Sequence, residues 1–117
     1  MMSKVIESRR ILREAFTLTR MVVFNLRAFL DTEDYKYFKR AYKLVEYAAS
    51  KPQYVENMYG FRDLYNNMKA MYELLESRSW NPSEEEYAKL SEQVTYTIVR
   101  ANLIATGINF RLKRFKA

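Results

Sequence analysis

Histidine and cysteine are both absent from this 117-residue chain, and glycine and proline occur only twice each. Without histidine the commonest general acid–base and the commonest metal ligand are gone, along with every Ser-His or Cys-His nucleophile. Without cysteine there is no disulfide framework and no thiolate chemistry, and a zinc site would have to be built from carboxylates alone. No Glu-x-x-His pair exists, which excludes a ferritin-type di-iron centre in its usual form. Gly60 and Gly107 stand alone, so no glycine-rich phosphate loop is present. Long apolar runs are missing too: the longest is Met-Val-Val-Phe at 21–24. A bilayer-spanning helix needs roughly 20 apolar residues. The opening MMSKVIESRR has neither an uninterrupted apolar stretch nor a small-residue cleavage site. No secretory signal is read there, and a soluble, cytoplasmic chain is expected. The row Glu84, Glu85, Glu86 is better explained as a helix N-terminus complementing the macrodipole than as a metal cluster. These absences predict no catalytic residue, no cofactor and no metal.

What is present suits a single helical domain spanning 1–117. Hydrophobic residues make up 49% of the chain, enough for one core but not two. Four segments carry helical periodicity. In the first, about 3–30, Ile11, Leu12, Ala15, Leu18, Val22, Leu26 and Phe29 share one stripe. It ends at Leu-Asp-Thr-Glu-Asp, where Asp31 or Thr32 is placed to cap the next helix. The second, about 33–50, repeats the pattern with Tyr35, Phe38, Tyr42, Val45 and Ala49. It stops at Ser-Lys-Pro, because Pro52 biases Lys51 away from helical dihedrals. The third, about 53–78, has a 3-4 spacing in Phe61, Leu64, Met68, Met71 and Leu75. In the fourth, about 84–115, Ser83 and Glu86 form a capping box. Tyr87, Leu90, Val94, Thr97, Ala101, Ile104, Ile108 and Leu112 then line one side, with Gly107 the expected place for a bend or fray. Short connections make consecutive helices antiparallel neighbours, so the expected fold is all-α, an up-down four-helix bundle with a long C-terminal helix.

Charge is unevenly placed along this frame. The chain holds 20 Lys+Arg against 14 Asp+Glu, a net +6. Residues 1–30 hold six cations and two anions, residues 31–82 hold eight of each, and residues 101–117 hold four cations and no acid. In an up-down bundle the start of the first helix and the end of the fourth lie at one pole. Lys4, Arg9, Arg10 and Arg13 would there approach Arg111, Lys113, Arg114 and Lys116. Along the first helix, Arg9, Arg13, Arg20 and Arg27 fall within about 40° of one another, with Phe16 among them. Arginines in a row suit bidentate contact with phosphate or carboxylate. The second helix offers a similar face in Lys36, Lys39, Arg40 and Lys43, but residues 31–82 around it sum to zero and a merely solvated face explains it equally well. Of the ten tyrosines and seven phenylalanines, most sit at core spacing. Phe16, Tyr47, Phe110 and Phe115 lie beside cations and are the candidates for base stacking or partner contact.

Two stretches, FRDLYNNMKAMYE at 61–73 and EYAKLSEQVTYTIVR at 86–100, resemble helices of the type III-A small subunit of CRISPR effector complexes. That family consists of small, basic, all-helical chains lining a nucleic-acid channel. The resemblance implies a non-enzymatic RNA-binding subunit in antiviral defence, with other protein subunits as partners. It also implies that Arg62 and Arg100 contact backbone. The leading expectation is therefore a helical subunit of a nucleoprotein complex that neutralises the phosphates of a single strand or hybrid without reading sequence. The competing expectation is a protein-interaction bundle, immunity-like or adaptor-like, which predicts an exposed apolar groove. Membrane-surface binding through INFRLKRF at 108–115 is a third, and a structural role would appear as self-association.

Overall fold

Apolar side chains at every third or fourth position give each helix one face that must be covered, and the covering is mutual. The computed structural model describes residues 2–77 and 81–114, with side chains from residue 6 onward. Among the described residues the chain is all-α, with no strand: α1 (Met2–Thr32), α2 (Tyr35–Ala49), α3 (Pro52–Val55), α4 (Phe61–Ser77) and α5 (Glu84–Arg114). α1 packs against α2 and α5, and α4 packs against the same two helices. α1 and α5 are antiparallel along most of their length. Phe29 meets Tyr87 at one end with ring centroids 6.2 Å apart, Arg20 reaches Asn102 midway, and Arg9 and Arg13 lie beside Lys113 at the other. The molecule is accordingly long and narrow, 55 × 23 × 19 Å.

The expected stripes form the core. Leu12, Ala15, Leu18, Val22, Leu26 and Phe29 of α1 are buried, as are all five residues of the α4 seam. Phe29 meets Phe38 edge-on with centroids 5.6 Å apart, joining α1 to α2. Thr19 and Thr97 are buried polar residues, each donating its hydroxyl to the carbonyl one turn earlier in its own helix, Ala15 and Gln93. Neither therefore leaves a polar group unsatisfied in the core.

Three local expectations change. The third segment is not one helix over 53–78. It is split into the four-residue α3 and α4, because Gly60 takes a left-handed φ of +83° that a continuing helix cannot accept. Asn57, just before it, turns its side chain back to donate to the Gln53 carbonyl, the local bonding that favours a turn. Pro52 opens α3 at its first turn, where no amide donor is needed. Second, α2 is capped by Asp34 rather than Asp31 or Thr32. The Asp34 carboxylate accepts from the Lys36 amide at 3.0 Å, while Thr32 accepts from the Asp34 amide at 3.2 Å. Third, α5 runs unbroken through Gly107. The Ser83–Glu86 capping box is formed in both directions, at 3.3 and 3.2 Å.

Glu33 closes α1 with φ +57°, donating its amide to the Phe29 carbonyl at 2.8 Å. A left-handed residue with a Cβ is strained there, and glycine is not. Glu33→Gly is expected to raise unfolding stability by about 0.5–1 kcal/mol, whereas Ser83→Ala, which removes a cap, is expected to lower it by about 1 kcal/mol. Urea denaturation of the two variants beside the parent checks both signs.

Candidate nucleic-acid interface

A cation is available to an outside anion only when no acid of its own chain holds it. On that criterion the cations of this chain divide sharply. Arg10 engages both acids of residues 1–30, Glu14 at 2.9 Å and Glu7 at 4.0 Å. Glu14 is further fixed by Tyr54, which donates its phenol hydrogen to the carboxylate across 2.5 Å. Arg9, Arg13, Arg20 and Arg27 are left without an acid, and none of them forms an ion pair among the described residues.

The α2 face behaves differently. Lys36 pairs with Asp34 at 3.5 Å, Lys39 with Glu76 at 3.2 Å and Lys43 with Glu46 at 3.5 Å. Arg40 lies over the Tyr37 ring, and Lys43 over those of Tyr42 and Tyr72. Three of the face's four cations are paired with acids of the chain, and Arg40 is held over a ring without one. The solvated, neutralised reading therefore applies to α2, and the unopposed reading to α1.

Arg9, Arg13 and Arg20 of the α1 row lie beside α5. Arg13, Arg20 and Arg27 are exposed and seven residues apart, which spaces them about 10.5 Å along the helix axis. Arg20 donates to the Asn102 side chain at 3.4 Å, a weak contact that leaves most of its donors open. At the pole, Arg9 and Arg13 join Asn109, Leu112 and Lys113 around a cleft of about 110 Å³. That is roughly the volume of three or four water molecules, the scale of one oxyanion. Arg9 is half-buried, and its Nε is enclosed with no hydrogen-bond partner. A charged donor in that state has its hydrogen-bonding capacity unspent.

The described tail cations, Arg111, Lys113 and Arg114, take three different surroundings. Lys113 belongs to the cleft. Arg111 is half-buried and donates to the Asn57 carbonyl, tying α5 to the turn before α4. Arg114 is exposed and sits over the Phe110 ring, 5.3 Å from its centroid. Lys116 and Phe115 lie outside the described residues, as does the Lys4 side chain. Of the two arginines that the resemblance singled out, Arg62 is exposed on the first turn of α4. Arg100 is half-buried, pairs with Asp63 at 3.4 Å and lies over Tyr96. Neither joins the α1 row.

Among the aromatic candidates, Phe16 is half-buried against the core, whereas Tyr47 and Phe110 are exposed. Sequence reasoning missed Phe24, which is 71% exposed and lies between Arg20 and Arg27. The same helical-wheel count that aligned the arginines places it about 40° from Arg20, so the signal was present. Among the described residues of the 108–115 segment, Ile108 is fully buried and Leu112 packs on the core, leaving Phe110 as its exposed apolar residue. No helix among the described residues is long and apolar enough to cross a membrane.

The Glu14–Tyr54 contact has a pH signature. The hydrogen bond from Tyr54 holds the Glu14 carboxyl below its ordinary value, with Arg10 adding to the effect and burial opposing it. The same bond, with burial, pushes the Tyr54 phenol up from 10.0 to about 12. A lowered carboxyl contributes stability above its ordinary pKa and loses it as the pH falls through the folded value. A raised phenol contributes below pH 10 and loses it as the pH rises toward 12. The difference in melting temperature between the parent and Tyr54→Phe should therefore be largest from about pH 6 to 9 and shrink on both sides. A difference independent of pH would show that the contact acts by packing alone. Comparison with known proteins adds no assignment to this geometry: no family model, curated protein or solved structure matches the chain.

Proposed function

We propose that the chain is a non-catalytic subunit of a nucleoprotein complex, one that lays the sugar-phosphate backbone of a single strand or hybrid along the α1–α5 groove. The observation that carries this reading is the allocation of acids. Arg10 takes both carboxylates of the α1 N-terminal half, and four arginines of the same helix remain unopposed in a row. Phosphate neutralisation by such a row depends on charge and spacing rather than on base edges, and gives affinity without sequence readout. Phe24 supplies an exposed ring within the row for sequence-tolerant stacking. In the setting that the resemblance to CRISPR small subunits implies, a cytoplasmic chain of this kind would line part of a channel completed by other subunits.

A second reading, docking of a protein partner, is favoured by the gap between α4 and α5. Ala70, Met71, Leu74 and Tyr96 line a groove of about 470 Å³ there, with Leu74 and Tyr96 more than half exposed. It lies away from the arginine row, so the two readings can be tested apart.

Fluorescence anisotropy with labelled single-stranded RNA and DNA at several salt concentrations is the test. Replacing Arg13, Arg20 and Arg27 by alanine is expected to weaken binding at low salt by at least tenfold. The slope of log affinity against log salt should fall by about two, given roughly 0.7 per neutralised single-strand phosphate. Because these side chains are exposed, the melting temperature should hold. The corresponding alanine variant at Lys36, Lys39 and Lys43 should bind like the parent. Equal losses in the two variants, or none in the first, would remove the groove as the site.

A further inference from the structure

The outward side of α5 carries large apolar residues that the fold does not cover. Tyr96, Val99, Leu103 and Phe110 are 51% to 64% exposed. They follow the 3-4 spacing that forms a continuous ridge on a helix, a seam for another helix rather than scattered surface residues. The ridge lies opposite the buried side formed by Leu90, Val94, Thr97, Ala101, Ile104 and Ile108.

Gly107 lies on this ridge. Glycine inside a helix is unfavourable, and here nothing in the chain requires it. α5 continues through it, its φ is not left-handed, and a Cβ built on it would meet nothing within 4 Å. A glycine with open space above it, flanked by Leu103 and Phe110, is what close approach of a second backbone needs.

The charges along the ridge indicate which backbone approaches. Glu92 precedes the apolar stretch, and Lys113 and Arg114 follow it. None of the three forms an ion pair among the described residues. Leu103 is the midpoint between Tyr96 and Phe110. A two-fold axis there sets a second α5 antiparallel to the first, places Tyr96 of each copy against Phe110 of the other, and brings each Val99 to a glycine. Glu92 then faces Arg114 across both ends. A parallel pairing would instead oppose like charges at both ends.

We infer that the chain forms a two-fold homodimer through the outer face of α5, antiparallel about Leu103, with Gly107 as the point of close helix approach. The interface is isologous, so it closes at two copies. It is a single-helix contact at the small end of the interface range, so assembly is concentration-dependent in the micromolar regime. The contact stands independently of nucleic-acid binding and leaves the α1 row uncovered.

Analytical ultracentrifugation of the full chain without nucleic acid reads the assembly directly. The expected species is twice the 14.1 kDa chain mass, dissociating on dilution. Leu103→Lys should abolish it. Gly107→Gln should weaken it at least tenfold while raising the melting temperature of the monomer, a pair of opposite effects that misfolding cannot produce. Glu92→Arg and Arg114→Glu should each weaken association by roughly threefold to tenfold, and the double variant should recover it. Because the chain has no cysteine, Leu103→Cys can form a disulfide only with its own copy across the axis. It should link rapidly in air, whereas Glu73→Cys on the exposed face of α4 should not. A single monomeric species at hundreds of micromolar, a dimer indifferent to Leu103→Lys, or equal linking at the two cysteines would each overturn the assignment.

Discussion

The antiparallel contact between α1 and α5 is the constraint on which the remaining structure depends. These are the two longest helices, 31 residues each, and each spans about 46 Å. Aligning them over that length buries Leu12, Leu18, Val23 and Leu26 of one and Ile98, Ala101, Ile104 and Ile108 of the other in one shared core. It also decides what the far ends of the sequence do. Arg9 and Arg13 meet Asn109 and Lys113 only because the chain returns on itself in register. Shorter helices would have left those charges at separate ends of the molecule.

Electrostatics then follows from which acids are within reach. Glu7 and Glu14 lie one turn to either side of Arg10, so both are drawn to it. Tyr54 at the end of the core holds Glu14 from its other side. Exposed ion pairs of this kind contribute little to folding. Their consequence is distributional: acid held by Arg10 is unavailable to Arg13, two turns from Glu7 and adjacent in sequence to Glu14. On α2 the opposite holds, because α4 brings Glu76 to Lys39 and α2 itself supplies Glu46 to Lys43. Basic rows on two helices thus become one surface open to outside anions and one largely paired within the chain.

Periodicity made most of the fold legible before any coordinates. The Phe61, Leu64, Met68, Met71, Leu75 seam and the capping box at Ser83 are local patterns whose physics is complete within a few residues. The break at Gly60 was written in the same region but masked, because Phe61 continues the apolar spacing of Tyr54 and Met58 and hides the turn between them. The cap of α2 moved to Asp34 because Glu33 adopts a left-handed conformation that no composition rule favours for glutamate. At the site, the arginine row and the joining of the two ends followed from helix geometry. The role of Arg111 did not, since its partner is the backbone carbonyl of Asn57, placed by the turn that the apolar spacing concealed. Phe24 was overlooked for a related reason: it sits within Met-Val-Val-Phe, whose two valines are buried, and an apolar run does not announce which of its members faces outward.

The two surfaces proposed here make compatible demands. A two-fold axis through Leu103 reverses the direction of one copy relative to the other, so the arginine rows of a dimer run in opposite senses. Two such copies on the same single strand could not both read base sequence in one register, because base edges are ordered along a strand. Contacts to phosphate are insensitive to strand direction, since they require only negative charge at a suitable interval. An arginine row spaced at about 10.5 Å along a helix axis is of that second kind. The proposed dimer and the proposed phosphate contacts are therefore compatible with one mode of recognition, in which the arginine row would neutralise a strand without reading it.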